Sequence, residues 1–117
     1  MDEGWVFVDV RTEVEFGGGH PPGSLNVPFM IDAGGRRAPN PDFLGAIEAL
    51  FEKDTRLILG CAVGPRSTRA GAELASKGFT QLKELDGGWA GWPDSAPSET
   101  GQPDDRSWDG LLKRLKE

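Results

Sequence analysis

Short apolar runs rich in β-branched residues alternate along this chain with stretches whose apolar residues recur at helical spacing. Trp5-Val6-Phe7-Val8-Asp9-Val10 predicts a buried strand over 5–10. Thr12 followed by Glu15 has the capping-box pattern, so a brief helix is expected before Gly17-Gly18-Gly19 stops it. His20-Pro21-Pro22-Gly23 reads as a turn, Leu25-Asn26-Val27 as a second strand, and Phe29 to Pro39 as an irregular connection. The strongest periodic signal follows. Asn40 as N-cap and Pro41 in the first helical position open a helix with Phe43, Leu44, Ile47, Leu50 and Phe51 on one face.

A third strand is predicted over 57–61, and Ser67 or Thr68 begins a helix carrying Ala70, Leu74 and Ala75 until Gly78 ends it. A last strand is predicted over 82–85. Pro93 to Asp105 shifts to Pro, Ser, Asp, Glu and Gly and reads as a polar linker. From Ser107 a final helix is expected, with Trp108, Leu111, Leu112 and Leu115 forming an apolar stripe that docks on the domain. Strands alternating with helices imply an α/β fold with a largely parallel sheet and helices on its faces. The division expected is a domain over 1–92, followed by linker and packed amphipathic helix over 93–117.

Composition narrows the function classes. The 117 residues suit one domain, and a net charge of −6 lacks the basic face that nucleic acid would require. A lone cysteine rules out an internal disulfide framework, and a single histidine is too few for most metal clusters, so no metal is expected. No apolar run approaches the roughly 20 residues that span a bilayer, and the start lacks signal-peptide character. The default expectation is a cytoplasmic protein without membrane contact.

That lone cysteine, Cys61, carries the candidate chemistry. It follows the apolar strand Leu57-Ile58-Leu59-Gly60 and precedes the turn Ala62-Val63-Gly64-Pro65-Arg66, which leads into a helix. A thiol at a helix start meets unpaired backbone N–H groups and the positive end of the helix dipole, both of which favour thiolate. Arg66 and Arg69 add positive charge nearby. The competing reading is a small buried hydrophobe, the commonest fate of a cysteine outside a disulfide. The neighbouring Gly, Pro, Arg and Ser suit an exposed turn instead, and ligands bind at the carboxyl ends of strands in open α/β sheets.

Four blocks in order resemble a rhodanese-type sulfurtransferase domain, over about Trp5 to Trp92. They are Asp9-Val10-Arg11 with Glu15-Phe16; Gly19-His20-Pro21-Pro22-Gly23-Ser24-Leu25-Asn26-Val27-Pro28; Cys61-Ala62-Val63-Gly64-Pro65-Arg66-Ser67; and Gly78-Phe79 followed by Gly87-Gly88-Trp89 and Trp92. The single-domain length and the segment from Pro39 to Leu44 resemble the small thiosulfate sulfurtransferase-like proteins. The resemblance implies a rhodanese-like open parallel sheet of four to five strands with helices on both faces. The family normally places a strand and a helix ahead of the Asp-Val-Arg block, and here the chain begins only a few residues before it. The tail after Pro93 is a candidate to cover the vacant edge.

For function, the resemblance implies a sulfurtransferase. In it Cys61 takes a sulfane sulfur from thiosulfate or a persulfide donor and passes it, as a persulfide, to a thiophilic acceptor such as cyanide, a low-molecular-weight thiol or a protein. Backbone N–H groups of Ala62, Val63, Gly64 and Ser67 would cradle that sulfur without a metal or organic cofactor. Pro65 offers no N–H, so one donor is absent from the cradle. Arg66 is the candidate for the oxyanion end of a small anionic donor, with Arg69 a weaker one. Asp9, Arg11, Glu15 and His20 read as residues that tie turns together, Arg36 and Arg37 as solvated loop, and Trp89 and Trp92 as core or pocket wall.

Two rivals remain. A phosphatase or arsenate reductase also sets Cys and Arg around an anion cradle, but related phosphatases use a loop one residue longer than the Ala62-Val63-Gly64-Pro65 spacer here, and no nearby Asp serves as general acid. A non-catalytic binding or regulatory module on the same fold would not need Cys61.

Overall fold

The computed structural model describes residues 4–62, 65–85, 87–93, 96–101 and 105–115. Its main sheet has four parallel strands in the order β2-β1-β5-β6, formed by β1 (Val6–Asp9), β2 (Leu25–Asn26), β5 (Leu57–Gly60) and β6 (Leu82–Glu84). The two central strands account for the sequence pattern. In β1 the neighbours Phe7 and Val8 are both buried, and in β5 the neighbours Leu59 and Gly60, so residues on opposite faces of each central strand are covered and no polar alternation appears.

Helix α1 (Glu13–Gly18) starts on a complete capping box: the Thr12 hydroxyl accepts from the Glu15 N–H, and the Glu15 carboxylate accepts from the Thr12 N–H. Helix α3 (Pro65–Ser76) packs on β5 and β6. It ends in a Schellman closure, with Phe79 N–H donating to Leu74 O and Gly78 N–H to Ala75 O. Helices α2 (Phe43–Leu50) and α4 (Trp108–Leu115) pack against each other, and Trp108 and Leu111 join Phe43, Ala46 and Ile47 in the core cluster.

The structure corrects the sequence reading at three places. Phe29 to Pro39 is not irregular: β3 (Met30–Ala33) and β4 (Arg36–Pro39) form an antiparallel hairpin. Gly34 and Gly35 make its two-residue turn with φ of 62° and 81°, the backbone that a tight hairpin requires and that only glycine adopts without strain. The helix expected from Pro41 begins at Phe43 instead, after a tight turn in which Phe43 N–H donates to Asn40 O; Asn40 still accepts from Asp42 N–H as an N-cap does, and donates to Pro28 O. Helix α3 begins at Pro65 rather than at Ser67 or Thr68, which puts proline in a first-turn position where the missing N–H costs nothing.

No fifth strand joins the main sheet among the described residues. On the β2 side Asn26 N–H donates to Arg106 O, so the segment before α4 takes one backbone bond of that edge. Residues 96–101 lie over α1 and the turn after it: His20 and Glu99 form an antiparallel bridge, and Gly101 N–H donates to Gly17 O. The Glu13 carboxylate then caps the start of α4 by accepting from Asp109 N–H. No described helix is long and apolar enough to cross a membrane.

Candidate active site

The site is built at the carboxyl end of β5, where the backbone is pinned before any side chain is considered. Four successive carbonyls are occupied: Leu59 O accepts from Leu85 N–H, Gly60 O from Val10 N–H, Cys61 O from Trp89 N–H at 2.7 Å, and Ala62 O from Ala90 N–H at 2.9 Å. The last two donors lie on a 3-10 turn, Trp89–Gly91. Gly88 makes this approach possible. A Cβ there would lie 2.5 Å from Ala62 O and 2.6 Å from Cys61 O, on a backbone with φ of 61°.

Cys61 itself is 1% exposed. Its Sγ accepts from Ser67 N–H at 3.4 Å, in the first turn of α3, and lies 3.6 Å from Ser67 Oγ. Burial favours the neutral thiol, whereas the helix N-terminus and the amide of Ser67 favour the thiolate. The exposed turn expected from the neighbouring Gly, Pro, Arg and Ser is not what forms around the thiol: Cys61 is buried in the core cluster, with its sulfur against the first turn of α3.

Arg66 stands beside it with 14% of its side chain exposed. Its Nη1 and Nη2 donate to Glu15 Oε1 at 2.6 Å and Oε2 at 3.0 Å, a two-pronged pair linking α3 to α1. Hydrogen bonding to Glu15 raises the guanidinium's proton affinity against the opposing effect of burial, and the charges of Glu15, Cys61 and Asp9 add to the rise. For Glu15, burial pushes the carboxyl upward, but the bonds from Arg66 and Thr12 and the charge of Arg66 outweigh it and bring the pKa down from 4.5 to about 2. Arg37, carried in by the hairpin, adds a contact to Glu15 Oε1 at 3.2 Å.

A second carboxylate lies on the β6 side. Glu84 Oε1 accepts from Ser67 Oγ at 3.1 Å and from Thr68 Oγ1 at 2.7 Å. Neither Glu15 nor Glu84 stood out in sequence as part of the site. Glu15 was absorbed by its capping box, which it does make, while Glu84 lies on a short strand whose partner across the sheet is known only from the topology.

Of the other sequence candidates, Ala62 is held through its carbonyl, and Val63 and Gly64 lie outside the described residues. Arg69 is exposed on α3, and no hydrogen bond or ion pair joins it to the site among the described residues. Asp9 and Arg11 form a buried pair at 2.7 Å, and Arg11 Nη2 also donates to Gly19 O, so this pair ties the β1 end to the following turn. Trp89 lies over the Arg11 guanidinium at 5.2 Å and stacks with Trp92. His20 stacks on Phe16 at 3.7 Å and is fully buried, with Nδ1 2.7 Å from Phe16 O.

Comparison with known proteins places this geometry. A rhodanese-like domain family model matches residues 1–95. Thiosulfate sulfurtransferase 16, chloroplastic, from Arabidopsis thaliana is 39% identical over 89 residues, covering 76% of this chain and 74% of that protein. Senescence-associated protein DIN1 from Raphanus sativus is 39% identical over 92 residues, covering 79% of this chain, which spans about half (50%) of that longer protein. The solution structure of the rhodanese-like domain of the Alr3790 protein from Anabaena sp. superimposes with a TM-score of 0.70 at 24% identity, over 85% of this chain and 67% of that one, a likeness of fold. With the pinned cysteine at the β5-to-α3 turn and a family match across most of its length, the chain belongs to the rhodanese-like domain family.

Proposed function

We propose that the chain is a sulfurtransferase that carries a sulfane sulfur on Cys61. The observation that carries this reading is the Cys61 sulfur itself, at the end of β5, receiving the Ser67 amide at 3.4 Å beside the Arg66 guanidinium. The relative named a thiosulfate sulfurtransferase supports the reaction class. In the first step the Cys61 thiolate attacks the outer sulfur of thiosulfate; the new S–S bond forms as the old one breaks, and sulfite leaves with the electron pair. In the second, cyanide or a thiolate attacks that outer sulfur and Cys61 leaves as thiolate. Charge and electrons balance without a metal or redox cofactor.

Backbone amides suit this chemistry because they place partial positive charge on the persulfide without adding a proton that must be removed. Arg66 gives Glu15 two of the five N–H donors of a guanidinium, so others remain for an oxyanion. Glu15 therefore holds Arg66 in place and at the same time moderates its attraction for a dianion.

The test is turnover of thiosulfate with cyanide, read as thiocyanate formed. Wild-type chain is expected to turn over and Cys61→Ser to form none. Hydrolysis of an aryl phosphate without thiocyanate formation would favour the phosphatase reading, and activity equal in both proteins would remove Cys61 from the chemistry.

A further inference from the structure

We propose that Glu84 is a positioning residue that sets, through the Ser67 hydroxyl, how readily the Cys61 sulfur ionises. The juxtaposition joins three elements: Cys61 follows β5, Ser67 lies in the first turn of α3, and Glu84 closes β6. Ser67 Oγ stands between the other two, 3.6 Å from Cys61 Sγ and 3.1 Å from Glu84 Oε1. Ser67 is buried and Glu84 is exposed, so the hydroxyl links a desolvated sulfur to a hydrated carboxylate.

A serine hydroxyl has one proton and two lone pairs. While that proton points to Glu84, the oxygen turns lone pairs towards the sulfur, an arrangement that suits S–H and disfavours S⁻. When the thiol proton is lost to solvent, the favourable response is for Ser67 to turn its hydroxyl from Glu84 to the sulfur. The thiolate then gains one donor, and Glu84 keeps the bond from Thr68 Oγ1. Glu84 competes for this proton and so holds the resting sulfur towards the thiol, opposing the Ser67 amide and the helix N-terminus. Among the described residues, the other charges near the sulfur are held in pairs: Arg66 from α3, which feels the charge of Cys61, with Glu15 from α1, and Asp9 at the end of β1, which acts on Arg66, with Arg11. Because Glu84 is exposed, its bare charge is largely screened, and the hydroxyl is the effective route.

This inference rests on Cys61 being the reacting sulfur, and its test needs no sulfur donor. The rate of Cys61 alkylation by iodoacetamide is measured against pH for the whole chain, for Glu84→Gln, for Ser67→Ala and for the double variant. Glu84→Gln is expected to move the midpoint down by about half a pH unit, roughly a threefold faster alkylation below it. In the Ser67→Ala background the same substitution is expected to leave the midpoint in place. An unchanged or raised midpoint in Glu84→Gln overturns the proposal, and so does an equal shift in both backgrounds, which would mean plain charge rather than the hydroxyl. A chain that shows the shift but forms no thiocyanate refutes the sulfurtransferase reading alone; one that forms thiocyanate without the shift refutes only the role of Glu84.

Discussion

Two carboxylates flank Cys61, and they are held in opposite ways. Glu15, on the α1 side, has 24% of its side chain exposed and is locked between Arg66, Arg37 and its own capping box. Glu84, on the β6 side, is exposed and touches two hydroxyls that can turn. The first is a structural anion whose charge is already matched; the second can exchange a proton-sharing partner with the sulfur. The same functional group thus fixes geometry in one environment and adjusts reactivity in the other, and the partners decide which.

The largest effect tests whether both carboxylates flank a working nucleophile. Cys61→Ser is expected to abolish thiocyanate formation while leaving the Arg66–Glu15 pair and the fold intact, which circular dichroism and a melting curve would check. Gly88→Ala comes next, since its Cβ would meet the carbonyls of Cys61 and Ala62 on a left-handed backbone. It is expected to cost about 2 kcal/mol or more in urea unfolding and to lower activity further by displacing the loop. A neutral result there would show that the turn at Trp89–Gly91 does not position the cysteine.

Glu15→Gln addresses the locked side of the comparison. A folded-state pKa of about 2 against 4.5 means that the pair stabilises the fold fully above pH 4.5 and loses this contribution as pH falls through about 2. Discounted for partial exposure, the contribution is about 2 kcal/mol. Subtracting the variant's stability-against-pH curve from that of the wild type should leave a difference that shrinks across that window. A difference independent of pH would place the Glu15 contribution in packing rather than in its charge. Glu84→Gln, on the adjustable side, should change unfolding free energy by no more than about 0.5 kcal/mol, as expected for an exposed contact. A loss as large as that of Glu15→Gln would erase the contrast between the two.

Much of this arrangement was legible in the residues. The central strands are legible because their apolar runs cover opposite faces, Phe7 against Val8 in β1 and Leu59 against Gly60 in β5, and Thr12 with Glu15 makes the box their spacing predicts. The hairpin is hard to see in the residues because Arg36-Arg37-Ala38-Pro39 has no strand-like apolar run; its local signal is the Gly34-Gly35 turn. Cys61 and Arg66 lie in one loop and are visible locally. Their two carboxylates are 46 and 23 residues from Cys61, Glu15 before it and Glu84 after it, and only the order β2-β1-β5-β6 brings them together.

The central claim is that Cys61 bears the transferred sulfur, and intact mass reads it most directly. Incubated with thiosulfate, the chain should gain the mass of one sulfur, confined to the peptide containing Cys61, and lose it on addition of cyanide as thiocyanate appears in equal amount. No gain, or a gain that persists in Cys61→Ser, would contradict the account.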